Sequence, residues 1–427
     1  RADGGRALIG GRPYRELREP LRTVGAVLDG SGAHPSRTAR GHLGWVASGA
    51  GISRRRVAEV LDAVGLSEAA GRRVRTFSLG MGQRLGLATA LLGDPEVLIL
   101  DEPVNGLDPE GIRWIRRLLR QRADAGGTVL LSSHVLAELA EVADDVVVIA
   151  GGRVRAAGTL EEVAAGYANL EEAFFSLTGG RVRPRARGSA PVRRPVGTPG
   201  SRGSWGPRGR GPGMSVAMAL VCSLKAEALK TAGLPGVRVG AALALVLPAL
   251  VEYYVDHDLP ARLAAGDPRA LAGLDGVGVI GLYMGTTGIV VLAASVVVSE
   301  YASDPRTNGA SRQVATTMLV QPRRGAAVIA KLIVVLVSAL VLLALAAAVT
   351  LGLCRHLLGS WAPLDPVPWP LLTGILAWWG FSAMASMALA AATRSALVSM
   401  TALIAMSTMI SPGVLLIKST DAARFLP

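Results

Sequence analysis

Long apolar stretches in the second half of the sequence restrict its fold more than any other feature. Residues 332–353 run for 22 positions without a charged side chain. A helix crosses the hydrocarbon core of a membrane with about 20 such residues, whereas a surface helix of a soluble protein keeps a polar face. We therefore predict five transmembrane helices, at about 237–254, 277–299, 326–353, 370–392 and 396–417.

Loop charges predict how these helices are oriented. Residues 300–331 carry five basic and two acidic side chains, and residues 255–275 carry two basic and four acidic ones. Because basic loops stay on the cytoplasmic side of a membrane, we expect the first segment inside and the second outside. The sequence thus predicts an all-α transmembrane helical domain over residues 214–427 of a multi-pass protein of the cell membrane.

Residues 1–180 show the pattern of an α/β domain. Apolar runs typical of strands occur at 97–100 and 128–131. Helical patterns alternate with them, at about 111–123 and about 135–142. The glycine pair at 151–152 divides residues 145–158 into two more strands. Short buried strands separated by helices predict a largely parallel sheet covered on both faces.

A segment with nothing to bury separates the two blocks. Residues 181–213 hold nine arginines, no acidic residue, six prolines and eight glycines, which predicts a disordered linker that is either solvated or bound to anionic lipid. Met214 opens a new helical pattern, as expected if two adjacent reading frames were joined. Because most of the net charge of +13 belongs to this linker, we predict no nucleic-acid partner.

Two adjacent carboxylates follow the first strand-like run. Asp101 and Glu102 end VLILDE, where the chain can turn both side chains toward one ligand. Nucleotide hydrolysis needs a metal ion that neutralises phosphate charge and a group that orients water, so Asp101 would hold magnesium and Glu102 would polarise the water. Such a pair is common after apolar strands, and alone it does not identify a site.

Three further features stand at informative spacings around this pair. Ser78, Gly80 and Gln83 open a helix whose first N–H groups can bind phosphate. Asp108 follows Glu102 by six residues, and His134 follows the second predicted strand. We expect that strand to lie beside the first, which would bring His134 to the same sheet edge.

In this order and spacing, these residues resemble the nucleotide-binding domain of ATP-binding cassette (ABC) transporters. FSLGM at 77–81 is similar to the family's signature sequence, LILDEP to its Walker B strand, NGLD to its D-loop and SSH to its switch histidine. The domains that serve ABC-2 type permeases, of the daunorubicin- and bacitracin-export kind, look most similar. The resemblance implies a P-loop-type α/β fold, ATP and Mg²⁺ as ligands, and two domains that enclose two ATP molecules.

The resemblance also implies a role for each candidate residue. Glu102 is the implied catalytic base, His134 senses the γ-phosphate, and Asp101 is the metal ligand. The implied nucleotide contacts are Ser78, Leu79, Gly80, Met81, Asp108 and, at the Q-loop position, Asp29. Leu79 replaces the usual glycine, Met81 the usual glutamine, and Asp29 another glutamine. Because Ser78 and Gly80 are kept, we expect function to survive.

The phosphate-binding loop itself is absent from the sequence. No GxxxxGK[ST] motif occurs, and residues 1–180 contain no lysine. We therefore predict an incomplete P-loop-type domain, and an isolated chain that hydrolyses no ATP. Arg1 rather than Met opens the sequence, so we expect that truncation removed the loop. A degenerate domain is the alternative, although such a domain would be free to lose Glu102 and His134.

Residues 214–427 resemble an ABC-2 type permease. The best match is residues 299–332, which by resemblance include the coupling helix that docks on the ATP-binding domain; an ordinary basic loop is the alternative. Such permeases usually have six spans, so we expect the C-terminus to be truncated too. GLYMG at 281–285 is either a packing interface or ordinary composition.

The combined prediction is an ATP-driven exporter of drugs, peptides or lipids. Its partners would be membrane lipid, a transported substrate, and a second copy of the chain or a paired half-transporter. One alternative is a non-catalytic membrane regulator with a degenerate cassette. Another is a soluble ATPase that grips nucleic acid through its basic linker, which requires that the apolar runs be non-membranous.

Overall fold

The computed structural model describes residues 4–28, 30–179, 216–267, 270, 280–302, 313–361 and 369–405. Two compact units make up the chain. The helical unit comprises Arg1–Pro20, Gly32–Phe77 and Met214–Pro427, and the sheet unit comprises Leu21–Ser31 and Ser78–Gly213. Residues 181–213, the predicted linker, lie outside the described residues.

The secondary structure of the described residues follows in chain order. The strands are β1 (Val24–Val27), β2 (Val97–Asp101), β3 (Thr128–Ser132), β4 (Asp145–Ala150) and β5 (Arg153–Thr159). The helices up to residue 179 are α1 (Pro20–Thr23), α2 (Ala39–Gly49), α3 (Arg54–Ala63), α4 (Leu79–Leu91), α5 (Pro109–Asp124), α6 (Leu136–Ala140), α7 (Leu160–Ala164) and α8 (Leu170–Thr178). The later helices are α9 (Val216–Ala232), α10 (Pro235–Asp256), α11 (Leu259–Ala264), α12 (Ile280–Met284), α13 (Thr286–Val298), α14 (Gln313–Val320), α15 (Arg324–Leu358), α16 (Trp369–Thr393) and α17 (Ala396–Ala405).

Side-chain caps fix where several of these helices begin. Thr38, Ser78 and Asp108 each accept a hydrogen bond from a backbone N–H in the first turn of α2, α4 and α5. These caps satisfy donors that have no partner inside the helix. Two of the three capping residues, Ser78 and Asp108, are also candidate nucleotide contacts. Helices α4 and α5 therefore both begin at candidate site residues.

A three-stranded parallel sheet forms the centre of the sheet unit. Its order is β1-β2-β3, with Val24 opposite Val97 and Val97 opposite Thr128. Helix α4 packs closely on β1, because a side chain at Gly25 would meet the carbonyl oxygen of Ala90 at 2.0 Å. The predicted strands at 97–100 and 128–131 and their parallel pairing are confirmed.

The sheet differs from the prediction at β3. Every residue of β1 is buried, but β3 alternates between half-buried and exposed residues, and Leu130 is 61% exposed. Within the described residues, the expected cover on both faces is therefore wrong for β3. The last two predicted strands, β4 and β5, pair with each other in a separate antiparallel sheet. Their turn uses Gly151 and Gly152, both at positive φ, as a tight hairpin requires.

Four helices of the helical unit are long and apolar enough to cross a membrane. These candidate spans, found among the described residues, are Pro235–Ala264, Gly281–Tyr301, Arg324–Trp361 and Leu371–Thr393. They match the first four predicted spans. The fifth prediction, 396–417, is described only as the shorter helix α17, and residues 406–417 lie outside the described residues.

Small residues and buried polar side chains hold the spans together. Helices α10 and α13 approach so closely that a side chain at Gly240 would meet the carbonyl oxygen of Gly288 at 2.7 Å. Trp379 of α16 is fully buried and donates a hydrogen bond to the carbonyl oxygen of Leu282 at 3.1 Å. The carbonyl group therefore gains a partner inside the bundle, and the ring fixes the position of α16.

Four charged side chains meet inside the helical unit, and we call them the charge cluster: Glu227, Lys230, Glu300 and Lys331. Lys331 lies 2.9 Å from Glu227 and 2.8 Å from Glu300, while Lys230 lies 3.3 Å from Glu227 and also pairs with Glu300. The side chain of Lys230 is 1% exposed. Burial lowers its pKa, and nearby Lys331 lowers it further, against the opposing effect of the two glutamates.

Glu300→Gln tests the stability of the charge cluster. The substitution keeps the shape of the side chain but leaves two ammonium groups without this carboxylate, so we expect a loss of roughly 3–5 kcal/mol in the free energy of unfolding. Denaturation of the purified chain in detergent micelles measures it. The control is Glu59→Gln, which breaks an exposed pair with Arg55 and should cost about 1 kcal/mol or less. Equal losses of stability in both variants would contradict the stabilising role of the charge cluster.

His42 of α2 makes the stability of the fold depend on pH. The residue is fully buried, and burial together with nearby Arg37 lowers the pKa of His42 from its usual 6.5 to about 3. Because the unfolded chain binds the proton more readily, stability is complete above about pH 6.5 and falls as the pH drops toward 3. His42→Gln should remove about 2 kcal/mol of the loss between pH 7 and pH 5. Unfolding curves at both pH values measure this, and an unchanged loss would contradict it.

Candidate functional site

The carboxyl ends of β2 and β3 bring the candidate catalytic residues together. The strands are parallel neighbours, and their register sets Asp101 opposite Ser132. In a parallel sheet the residues that follow such strands share one edge. The prediction that His134 lies at the same edge as Asp101 and Glu102 is confirmed.

Ser132 connects the two carboxylate residues. Its hydroxyl group donates a hydrogen bond to Oδ1 of Asp101 and accepts one from the backbone N–H of Glu102 at 3.2 Å. That N–H also lies 3.2 Å from the carbonyl oxygen of Ser132. The end of β2 is thereby held against β3, and the Asp101 carboxylate is held in one orientation.

Glu102 occupies an unusual backbone conformation. Its φ is +48°, in the left-handed region that residues with a side chain rarely adopt. Its carboxylate lies 2.7 Å from Nδ1 of His134, and its carbonyl oxygen accepts a hydrogen bond from Nε2 of Gln83 at 3.3 Å. Residues held in such conformations cluster at functional sites. The contacts from β3 and α4 keep Glu102 in a turn that directs its carboxylate toward His134.

The start of α4 presents the signature residues. Ser78 caps the helix by accepting a hydrogen bond from the N–H of Met81 at 3.2 Å. Leu79 is 47% exposed and Met81 half-buried. Gly80 lies directly against the next loop, since a side chain there would meet the carbonyl oxygen of Gly106 at 2.8 Å. The signature therefore touches the NGLD loop backbone to backbone, which only glycine at position 80 permits.

Asp108 combines two structural contacts. It caps α5 by accepting a hydrogen bond from the N–H of Gly111 at 2.9 Å, and its carboxylate lies 3.8 Å from the guanidinium group of Arg84. That guanidinium also lies over the ring of Trp114, 5.5 Å from its centre. Arg84 thus joins the signature helix to α5. Asp29 lies outside the described residues.

The donors at the strand ends suit a magnesium ion that carries a nucleotide. Mg²⁺ prefers oxygen ligands and is usually held by one or two carboxylates together with substrate phosphates. Asp101 supplies one carboxylate, and Ser132 contacts only its Oδ1. The residues present therefore fit such an ion, with Asp101 as its ligand from the protein.

The second candidate site lies in the helical unit. It is formed by the contacts of α14, a helix inside the predicted coupling segment at residues 299–332. Thr316 donates a hydrogen bond to the carbonyl oxygen of Gly32 at 3.1 Å, and Tyr14 donates one to the carbonyl oxygen of Leu319 at 2.7 Å. Helix α14 thus contacts both Gly32 and Tyr14, and its role as a coupling helix stays a prediction.

Arg37 makes the most buried of these contacts. Its guanidinium donates to Oε1 of Gln313 at 2.8 Å and to the carbonyl oxygen of Lys230 at 3.1 Å. Burial lowers the pKa of Arg37 to about 10, with Glu300 and Glu227 opposing the shift. Arg37 therefore ties α14 and α9 to the segment before α2.

Sequence reasoning missed several residues of both sites. Ser132 and Arg84 were not candidates, and neither was any member of the charge cluster. Ser132 could have been found, because it is the first residue of SSH and ends a strand that pairs with β2. Glu227 and Lys230 stand three positions apart on one helix face, a weak signal for a pair.

Comparison with known proteins decides the family. A sequence model of the family described as "ABC transporter" matches residues 1–105, a range that includes Ser78–Met81, Asp101 and Glu102. The lantibiotic transport ATP-binding protein SrtF of Streptococcus pyogenes is 38% identical over 157 residues, which cover 37% of this chain and 67% of the relative. The chain belongs to the ABC transporter family.

A second relative of this ABC protein, BcrA, agrees with that assignment. The bacitracin transport ATP-binding protein BcrA of Bacillus licheniformis is 41% identical over 158 residues, which cover 36% of this chain and 50% of the relative. A solved structure of an ATP-binding subunit of an ABC transporter is 28% identical, covers 41% of this chain and 77% of its own, and has a TM-score of 0.38. The chain spans about two thirds of SrtF and half of BcrA.

The predicted ABC ATP-binding domain is therefore confirmed. The assignment of residues 214–427 to the ABC-2 type permeases stays a prediction, as do the roles of the individual site residues.

Gly80→Ala tests the contact between the signature and the NGLD loop. The added methyl group would meet Gly106 at 2.8 Å, so we expect a loss of about 1–3 kcal/mol in the free energy of unfolding. Gly82→Ala is the matched control on the same helix, because nothing lies within 4 Å of its added methyl group. Alanine there should stabilise α4 by about 0.5–1 kcal/mol. Chemical denaturation of both variants measures the difference, and a neutral Gly80→Ala would refute the close contact.

Proposed function

We propose that this chain is part of an ATP-driven transporter that exports its substrate, with the ATP-binding domain in the cytoplasm and the apolar helices in the cell membrane. The observation that carries the proposal is the meeting of Asp101, Glu102 and His134 at the ends of two paired parallel strands. The membership in the ABC family and the four candidate spans support it.

Each residue at the strand ends would have a separate task in hydrolysis. Bound magnesium supplies charge neutralisation for the phosphates, and Asp101 would hold it. Glu102 would orient the attacking water and accept its proton. His134, which contacts the Glu102 carboxylate at 2.7 Å, would hold that carboxylate in place and respond to the γ-phosphate. Gln83 and Ser132 would act through Glu102 and Asp101 as positioning residues.

The signature residues would complete a second nucleotide site. Ser78 and Gly80 lie at the exposed start of α4, where Leu79 and Met81 depart from the usual residues. By resemblance, this surface contacts ATP bound to the opposite subunit, with Asp108 near the same interface and Asp29 near the bound metal. We therefore propose that the chain works as a pair, with itself or with a related half-transporter.

The contacts around α14 support a permease of the ABC-2 type. Thr316 and Arg37 join helix α14 to residues 32–77, and Tyr14 joins it to residues 1–20. Helix α14 also precedes the span that begins at Arg324. A movement of residues 32–77 would therefore reach α15 through α14. The relatives named for lantibiotic and bacitracin transport support export, and drugs, peptides or lipids all suit the apolar helices.

The presence or absence of a phosphate-binding loop distinguishes an ATP-hydrolysing transporter from a non-catalytic regulator. Since the sequence holds no GxxxxGK[ST] motif, we propose that the chain alone hydrolyses no ATP and that hydrolysis needs a phosphate loop from outside these residues. The second candidate function is a non-catalytic membrane regulator, which the lack of that motif in this chain favours.

ATP hydrolysis in lipid vesicles tests the proposal. The chain as given and the chain extended by its upstream coding sequence are assayed with ATP and magnesium, each with and without Glu102→Gln. We expect hydrolysis only in the extended protein, and a reduction of about a hundredfold or more with Glu102→Gln, because a positioned base contributes about 10²–10⁴-fold.

Glu110→Gln is the control for that variant. Glu110 is an exposed residue in the first turn of α5, and its replacement should leave the rate unchanged. If the extended protein is inactive, the regulator takes precedence. If Glu102→Gln hydrolyses ATP at the full rate, the role proposed for Glu102 is wrong.

A further inference from the structure

A cavity of about 780 Å³ lies in the helical unit and adjoins the contacts of α14. Its lining includes Tyr14 and Arg15 on one side and Met318, Arg323 and Arg324 on the other. Met318 belongs to α14, and Arg324 is the first residue of α15. The cavity is therefore formed where the third candidate span begins.

The charge around this cavity is positive. Three arginines and one acidic residue, Glu16, line it, and Glu16 lies 3.8 Å from Arg15. Within the part of the chain that the structure describes, Arg323 and Arg324 form no ion pair, and both are exposed. Two guanidinium groups thus remain for an anion, and arginine binds phosphate groups in particular through its planar pair of donors.

An apolar surface continues from the cavity along α15. Val328 lies one helical turn after Arg324 and is 61% exposed, followed by Ile329 at 54% and Val337 at 54%. Residues four positions apart lie on the same face of a helix, so Arg324 and Val328 form a charged end and an apolar flank of one surface. This combination matches the headgroup and acyl chain of a lipid, whereas a free phosphate ion would use only the arginines.

We propose that the cavity binds the headgroup of an anionic phospholipid from the cytoplasmic leaflet, with an acyl chain lying along the exposed face of α15. The leaflet rests on the orientation proposed above. Basic groups between membrane helices on the cytoplasmic side suit such headgroups. The lipid would contact Tyr14, which donates a hydrogen bond to Leu319, and so would touch α14 directly.

Photocrosslinking in vesicles tests the proposal. The whole chain is reconstituted in phosphatidylcholine with a trace of phosphatidylglycerol or phosphatidylcholine that carries a diazirine in its acyl chain. We expect the phosphatidylglycerol probe to label Val328 to Val337 more than the phosphatidylcholine probe does. Arg323→Gln with Arg324→Gln should lower that preference by about thirtyfold, since each arginine near an anionic surface contributes roughly fivefold.

Matched variants separate the cavity from other basic regions. Arg355→Gln removes an exposed arginine at the opposite end of α15 and should leave the labelling unchanged. Arg323→Lys with Arg324→Lys should retain most of the preference, which shows that charge and not folding is lost in the glutamine pair. The arginines of residues 181–213 are intact in every variant, so binding to them cannot produce the difference.

Three results would overturn the proposal. Equal labelling by the two probes in the unmodified chain excludes headgroup recognition, whether or not the variants fold. If labelling is unchanged in the variant that combines Arg323→Gln with Arg324→Gln, the cavity does not bind the headgroup. Displacement of the lipid probe by soluble glycerol phosphate at millimolar concentration would identify a soluble phosphate ester as the ligand. Because the assay needs no ATP, its outcome is independent of the proposed hydrolysis.

Discussion

The helical unit depends on the charge cluster of Glu227, Lys230, Glu300 and Lys331. Removing charges from water is costly, and their attraction offsets this cost only when each group has well-placed partners. Here the partners come from α9, the end of the second span, and α15, while the hydroxyl group of Thr317 on α14 bridges Lys230 and Glu300 at 3.0 and 2.9 Å. The cluster therefore joins α9, α14 and α15 to the end of the second span.

In the sheet unit, the backbone conformation of Glu102 depends on contacts from neighbouring elements. Glu102 has a positive φ because Ser132 holds its N–H and Gln83 holds its carbonyl oxygen. The strain is sustained by contacts from two elements, β3 and α4. A change in either element would therefore alter the backbone of Glu102 and with it the direction of its carboxylate.

The sequence allowed the strand-end residues and four of the spans to be predicted, because both depend on local patterns. Asp101, Glu102 and His134 follow apolar strands, and parallel strands end at a common edge. The open face of β3 at Leu130 was not predictable, since apolar residues alone do not show what covers them. The charge cluster was missed for a different reason: Glu227 and Lys331 stand 104 positions apart, and each alone resembles an ordinary charge beside a membrane span.

The contact between Arg37 and Gln313 also imposes an order on biosynthesis, since 276 positions separate the two residues. At a synthesis rate of about 5–20 residues per second, the earlier residue waits roughly 14–55 s for its partner. Until then the surface of α2 that later receives α14 has no contact with that helix. The packing of α2 against α14 is therefore completed late in synthesis, unlike packing between elements that are neighbours in the sequence.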